Sequence, residues 1–452
     1  MKVAKFGGTS LASSDQIRKV CSIVTSDPDR KIVVVSAPGK RFREDVKVTD
    51  MLIACAKAGL EKGSADSELQ AVITRYADIA SELGVDGDIT GTIAADLEAR
   101  VKGDKSNPGR YMDSLKAAGE DNCAKLVAAY LQNTGVEARY VNPGDAGLLL
   151  SDEFGNAQVL PQSYDNLKSL ADLPGIIIFP GFFGYSLTGE VVTLPRGGSD
   201  ITGSILSAAV SADLYENYTD VDHVYSVNPN LIHSPKPIHE LTYREMRELS
   251  YAGFSVFHEE ALVPVFQKGI PVRIKNTNNP GAPGTTILKE RHNITDPVVG
   301  IASDTGFCFI YLSKYLMNRE VGFGRKILQI LEEEHISYEH IPSGIDNMSI
   351  ILKQNLLDEQ KEARIIERIK KELAVDDISV DRNIALVMIV GEGMRNTLGI
   401  TARAAGSLSR AGINLEMINQ GPSEVSMMFA VKAHESDKAV RALYEEFFMQ
   451  AT

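Results

Sequence analysis

Cysteine is scarce in this 452-residue chain: Cys21, Cys55, Cys123 and Cys308 are widely scattered and form no CxxC pair. That spacing excludes a disulfide framework and a thiolate zinc site, and a reducing cytosol fits best. An excess of positive charge is also missing. The formal charge is −13, with both signs interspersed, which argues against a general affinity for nucleic acid or anionic membrane. Phosphate ligands therefore need local positive sites. Long apolar runs are absent as well: the most apolar stretch, "GIIIFPGFF" from Gly175, is too short to span a bilayer, and the N-terminus carries no extended apolar region. The expectation is a soluble intracellular, cytoplasmic protein.

What is present points to several domains. With 44% hydrophobic and 24% charged residues, a chain of this length can bury more than one core. It opens with a strand ("VAKF"), a Gly-Gly turn and a helix whose apolar residues Ile17, Val20, Cys21 and Val24 recur at helical spacing. The same order returns at "KIVVVSAPGK", "GIIIFPGFFG", "VVTLPRGGSDITGSILSAAV" and "DLYENYTDVDHVY". Short β-branched runs bounded by Gly or Pro predict strands buried on both faces, hence an α/β domain with a mostly parallel sheet flanked by helices.

The turn-rich "NTNNPGAPGT" from Asn276 marks the domain boundary, and an internal repeat lies beyond it. An offset of 77 residues carries Gly322 to Gly399, Leu331 to Leu408, Ile336 to Ile413 and Glu339 to Glu416. Each copy reads strand, helix, strand, strand, helix, the ferredoxin-like α+β pattern; "ISYEHI" and "INLEMI" are the expected second strands. The run "VVGIAS" from Val298 precedes the first copy and is expected to supply the strand missing from the second. The predicted domains are residues 1–293, 307–380, and 298–306 together with 381–452.

Two glycine corners carry the chemistry. In "KFGGTS", Lys5, Gly7, Gly8, Thr9 and Ser10 follow a strand; glycines let backbone N–H groups approach a phosphate, the next helix adds its positive end, and lysine supplies a compact cation. A tight turn with a solvated lysine is the alternative. The motif is neither a GxxxxGK[ST] loop nor GxGxxG. In "LPRGGSDIT", Gly197, Gly198 and Ser199 repeat the design and Arg196 and Asp200 add opposite charges, although Ser199 or Asp200 could simply cap a helix. Loops at the carboxyl ends of parallel strands share one crevice.

The ordered set "KFGGTS", "RGGSD", "TDVDHVYSVNP" from Thr219 and a tandem pair of ACT-like repeats resembles the aspartokinases of the amino acid kinase superfamily, over essentially the whole chain. The resemblance implies a three-layer α/β/α kinase domain followed by two ACT domains. It also implies ATP-dependent phosphorylation of the β-carboxylate of L-aspartate to 4-phospho-L-aspartate, the committed step toward lysine, threonine and methionine. By resemblance, Lys5 would hold the transferring phosphoryl group and Asp200 would orient the lysine or a metal-bound phosphate. Mg²⁺ on the ATP phosphates is expected from the chemistry rather than from a visible ligand cluster. For the substrate, Arg196 would pair with the α-carboxylate beside Gly197, Gly198 and Ser199, Glu120 would take the ammonium, and Thr49 would lie near it. An acid near a helix start, partnering only the dipole, is the alternative for Glu120.

For the nucleotide the resemblance implies Thr219, Asp220 and Tyr225, with Asn230, Ser255 and Val256. Two positions depart from the family pattern. Asn230 and Ser255 stand where relatives often carry a cation, and Lys275 or the basic loop "GKRFREDVK" from Gly39 could compensate. His258 and Glu259 have no second ligand at helical spacing, so a packing histidine is expected. The repeats imply an amino-acid effector, lysine favoured over threonine, held by Met317, Val321, Gly322, Phe323, Glu339, His340 and Ile341, and a homodimer formed through the ACT domains, with tetramers left open. Two alternatives stay open: a kinase for glutamate or N-acetylglutamate, and a silent amino-acid sensor.

Overall fold

A computed structural model describes residues 1–449 apart from Asp86, Ser255, His258, His292, Asn293, Thr295 and 422–424, and without the side chain of Glu259. The chain forms two compact units, one of residues 1–224, 237–250 and 255–292, the other of residues 225–236, 251–254 and 293–452. The second thus takes in two short pieces, 225–236 and 251–254, from the stretch expected to form a single domain up to residue 293. No described helix is long and apolar enough to cross a membrane.

Up to residue 292 the strands are β1 (Lys2–Phe6), β2 (Arg30–Val35), β3 (Ala138–Tyr140), β4 (Ile176–Pro180), β5 (Phe183–Tyr185), β6 (Val191–Thr193), β7 (Leu214–Thr219), β8 (Val224–Tyr225), β9 (Pro237–Ile238), β10 (Glu240–Thr242), β11 (Val272–Asn276) and β12 (Thr285–Leu288). The helices are α1 (Ser14–Thr25), α2 (Val48–Glu61), α3 (Asp66–Leu83), α4 (Gly87–Val101), α5 (Pro108–Asn133), α6 (Gln162–Asn166), α7 (Gly198–Ala209), α8 (Tyr243–Tyr251) and α9 (Leu262–Lys268). The main sheet has the order β10-β12-β11-β7-β1-β2-β4-β3, and only β11 with β12 pairs antiparallel.

β1 is interior because Val3, Ala4 and Phe6 bury on both faces, each large side chain contributing roughly 1.5–3 kcal/mol. Its register fixes what each face presents: Lys5 lies level with Asn217, and Phe6 with Tyr218. The rings of Phe6 and Tyr218 stack at 4.6 Å on one face, leaving Lys5 and Asn217 to the other, where α7 packs. Gly203 permits that packing, since a β-carbon there would stand 2.5 Å from the Tyr215 hydroxyl.

One expected strand is placed differently. "VVT" does not join the parallel sheet but pairs antiparallel with β5, because the turn at Gly189 (φ 84°) folds it straight back and Ser186 N–H donates across the turn to Glu190 O at 2.8 Å. The second glycine corner therefore leads from a two-stranded ribbon into α7.

The second unit is a five-stranded antiparallel sheet in the order β14-β13-β15-β17-β16, with β13 (Gly300–Ser313), β14 (Asn347–Lys353), β15 (Asp377–Val390), β16 (Met417–Asn419) and β17 (Ser426–Lys432), and helices α10 (Phe323–Glu333), α11 (Glu359–Leu373), α12 (Ile400–Arg410) and α13 (Ser436–Tyr444). β13 and β15 each run through both repeats: Gly300–Asp304 pair with Leu386–Val390, and Ile310–Ser313 with Asp377–Val380. Two apolar clusters result, one around Ile310, Ile327 and Ile369, the other around Ile389, Leu408 and Phe429. The repeat glycines play matching parts, Gly322 (φ 84°) and Gly399 (φ 82°) each starting a helix in the left-handed region. The expected second strands are shorter than predicted. "ISYEHI" makes only a bridge from His340 to Ile351, and "INLEMI" contributes Met417–Asn419.

Arg30 clamps the amino ends of β2 and β7 by donating Nε to Glu216 Oε2 at 2.6 Å and Nη2 to Oε1 at 3.2 Å, with Glu216 only 3% exposed. Removing one partner of such a buried pair costs about 3–5 kcal/mol. Glu216→Ala should lower stability by about that amount in urea denaturation, and the loss should exceed that of an exposed pair such as Lys102–Glu98, worth roughly 0.2–1 kcal/mol.

Candidate functional site

The two glycine corners meet at one ion pair. Lys5 Nζ lies 2.5 Å from Asp200 Oδ1, and Asn217 Nδ2 donates to the same oxygen at 2.7 Å. Register explains the Asn217 contact, because Lys5 and Asn217 share a face of neighbouring strands. Asp200 sits in the first turn of α7, and the Tyr215 hydroxyl fastens that turn by donating to Asp200 O at 3.1 Å. Gly197, in the left-handed region (φ 83°), is the N-cap, and no side chain caps the helix. The capping alternative for Ser199 and Asp200 is thereby corrected: both lie inside the helix, which leaves its first N–H groups available to an anion.

The first corner is equally close-packed. Gly7 N–H donates to Tyr218 O at 3.0 Å and Gly39 N–H to Gly8 O at 2.8 Å. A β-carbon on Gly8 would stand 2.9 Å from Ala37 O, and one on Gly39 would stand 2.7 Å from Gly8 O, so the loops after β1 and β2 touch only because both residues are glycine. Ser10 Oγ is 2.7 Å from Thr277 Oγ1. Thr9 is exposed.

Glu120 belongs to the interior of α5 rather than to a helix start, which corrects the dipole alternative. The preceding Gly119 lets α5 approach the end of β2, since a β-carbon there would meet Ala37 Cβ at 2.7 Å. Glu120 is 5% exposed and its Oε2 has no hydrogen-bond partner. Burial pushes its carboxyl up to about 8, against the opposing pull of the Ala37 backbone N–H and the charge of Lys5. One carboxyl oxygen of this buried acid is thus left to meet a hydrogen-bonding group that the protein itself does not supply. Thr49, half-buried, is the second residue of α2. Arg196 is exposed, four residues before Asp200, and makes no ion pair or hydrogen bond with any described residue.

Thr219 ends β7 and Asp220 follows it, exposed, with the Thr219 hydroxyl donating to Asp220 Oδ1 at 3.2 Å. Tyr225 and Asn230 belong to the second unit, and Val256 is half-buried in the first. Ser255 and His258 lie outside the described residues. Lys275 is level with Tyr218 on β11, so it projects on the Phe6–Tyr218 face and not on the face of Lys5. Compensation by Lys275 across the sheet is therefore not what the register provides.

In the second unit, Met317 and Phe323 are buried beneath α10, whereas Val321 is 97% exposed and its repeat counterpart Leu398 is 98% exposed. Glu339 accepts a hydrogen bond from the Tyr251 hydroxyl, which also lies 3.4 Å from His340 Nε2. Ile341 packs against the first-repeat cluster. Sequence reasoning missed Asn217 and Tyr251. Asn217 had a signal, a polar residue inside a strand buried on both faces; Tyr251, 88 residues from its partner, had none.

Comparison with known proteins agrees with this geometry. Residues 1–276 match the amino acid kinase family and residues 387–447 an ACT domain. Aspartokinase 3 of Bacillus subtilis (strain 168) is 62% identical, covering 99% of each chain. The crystal structure of Clostridium acetobutylicum aspartate kinase superposes with a TM-score of 0.86 at 40% identity, covering 99% of this chain and 100% of that one. E. coli aspartokinase III in complex with aspartate and ADP gives a TM-score of 0.80 at 25% identity, with 99% and 100% covered. The same enzyme in complex with lysine and aspartate gives 0.74 at 26%, with 99% of both covered. The chain therefore belongs to the amino acid kinase family, among the aspartokinases with a C-terminal ACT region.

Proposed function

We propose that the two glycine corners receive the terminal phosphates of ATP while aspartate binds beside them with its β-carboxylate facing the γ-phosphorus. The activity is that of an aspartate kinase under allosteric control through its ACT region. The β-carboxylate, with a pKa of about 4, is already ionised at neutral pH, so its attack requires no general base. One carboxylate oxygen forms the bond to the γ-phosphorus as the bond to the β,γ-bridging oxygen breaks, and ADP leaves. Two anions must be brought together, so positive charge and alignment are the chief demands.

The observation that carries this reading is the Lys5–Asp200 contact at 2.5 Å, which joins both corners at one point. Lys5 holds the transferring group, Asp200 and Asn217 aim the lysine, and the free N–H groups of α7 and the loop after β1 cradle phosphate oxygens. Arg196 pairs with the α-carboxylate and Glu120 with the ammonium; Thr49 stands nearby. Thr219, Asp220, Tyr225, Asn230, Ser255 and Val256 serve the nucleotide. Mg²⁺ would arrive on the nucleotide's phosphates, where Asp200 would meet it, and it would neutralise charge on the transferred group. The E. coli complex with aspartate and ADP supports these substrates.

Lysine is the effector we favour, with its ammonium on Glu339, in keeping with the E. coli complex containing lysine. Tyr251 already occupies one Glu339 oxygen, so the effector shares or displaces that hydroxyl. The exposed Val321 and Leu398 suit coverage by a second ACT region in a homodimer.

Incubation with ATP, Mg²⁺, aspartate and hydroxylamine should trap the acyl phosphate as a hydroxamate; no colour with aspartate would sink the reading. Lys5→Met should lower kcat by about 10²–10³-fold, and Arg196→Lys should raise KM for aspartate by roughly 10–100-fold with a smaller effect on kcat. Because the empty-site Glu120 carboxyl titrates at about 8, binding the ammonium expels a proton below that pH. KM for aspartate should fall as pH rises toward about 8 and level off above it, and Glu120→Gln should abolish the slope. In the second unit, Glu339→Gln should raise the lysine concentration giving half-inhibition by roughly tenfold or more while leaving uninhibited turnover intact; unchanged inhibition would remove Glu339 from the effector site.

A further inference from the structure

The loop between β2 and α2, residues 39–47, starts on the first glycine corner and is closed at its base. Its first residue, Gly39, donates to Gly8 O at 2.8 Å, and Val48 N–H closes the loop on Pro38 O at 3.0 Å. Ala37, just before it, is the residue whose N–H faces Glu120. Within the loop a single acid is the hub. Asp45, 8% exposed, accepts hydrogen bonds from Arg41 N at 2.9 Å, Arg41 Nε at 2.9 Å and Arg41 Nη2 at 3.2 Å. Arg75 of α3 adds a fourth, from Nη2 at 2.7 Å.

Arg75 is itself only 5% exposed. Its Nη2 also reaches Val46 O at 3.3 Å, while its Nη1 is buried with no partner. Among the described residues Asp45 is the one carboxylate paired with this guanidinium. Such an arrangement makes poor sense as surface decoration, because a buried cation with an unused donor is costly unless it fixes something. What it fixes is a loop whose remaining cations, Lys40, Arg43 and Lys47, are all exposed and have no carboxylate partner among the described residues. Left untied, this segment, in which the cations Lys40, Arg41, Arg43 and Lys47 outnumber the acids Glu44 and Asp45, would be free to extend into solvent. In a chain with a net charge of −13, it is a local net-positive segment beginning two residues after Ala37, against which Gly119 and Glu120 pack.

We propose that Asp45 and Arg75 are positioning residues for the phosphoryl transfer, holding loop 39–47 so that Lys40, Arg43 and Lys47 draw in and orient the dicarboxylic substrate. This rests on the aspartate kinase reading above. The clamp acts through the loop and touches neither reactant.

The test uses the full-length protein and measures kcat and KM for aspartate and ATP from about 20 mM to about 500 mM KCl. Circular dichroism and thermal midpoint confirm folding. Wild-type KM for aspartate should rise with salt. In the surface variant Lys40→Ser/Arg43→Ser/Lys47→Ser, KM for aspartate at low salt should be about tenfold higher and nearly salt-independent, with kcat and KM for ATP within about twofold. Arg75→Met should reproduce that pattern with all three cations present, and Arg75→Lys should restore most of it. A triple variant with wild-type KM and salt dependence overturns the proposal, and so does a folded Arg75→Met that behaves as wild type. Should Arg75→Met fail to fold, the triple variant and the isosteric Asp45→Asn decide. Wild-type protein with no aspartate-dependent phosphorylation overturns the underlying reading and this one together; active wild type with an unaffected triple variant overturns this one alone.

Discussion

The contact between Lys5 and Asp200 organises the catalytic unit. A buried ion pair contributes little net stability, since desolvation offsets most of the attraction, so its value here lies in placement. It requires the penultimate residue of β1 and the first turn of α7 to meet at 2.5 Å, and several features make that approach feasible. Gly203 lets α7 settle onto Tyr215, the Tyr215 hydroxyl holds the helix start, and Gly197 turns the chain from the ribbon into the helix. Asn217 shares the acid with the lysine and thereby limits how far either can swing. The lysine is thereby held in one orientation at the meeting point of the two corners.

A second constraint is steric. Gly8, Gly39 and Gly119 all stand where a β-carbon would strike neighbouring main chain or Ala37 Cβ. Their common effect is to bring the ends of β1, β2 and the middle of α5 into contact, and Glu120 is buried as a by-product of that closeness. Its raised proton affinity is therefore a consequence of the burial that this close packing produces, not of an acidic neighbour.

The strand, loop and helix order was legible because those signals are local: continuous apolar runs, helical spacing and glycine corners. The repeat offset was legible for the same reason, and it matched Gly322 with Gly399, both of which prove to be helix N-caps. The position of "VVT" was not, since a three-residue run carries no mark distinguishing a ribbon from a parallel sheet, and the turn at Gly189 decided the matter. Glu120 was found by resemblance alone; nothing in "AAGEDNC" says that Gly119 draws the helix onto β2. Tyr251 and Arg75 escaped notice because their partners lie far away in the chain, where neither periodicity nor composition reaches.

The sharing of β13 and β15 by both repeats has a bearing on how the chain comes into being. The strand at Gly300–Asp304 emerges before either repeat, yet its neighbour, Leu386–Val390, is made more than eighty residues later. The second apolar cluster cannot close until the first repeat has been synthesised in between, so during translation an unpaired edge must wait, exposed to the wrong partners. Cutting the chain between the repeats would leave that edge without its partner, so the two repeats complete their sheet only together.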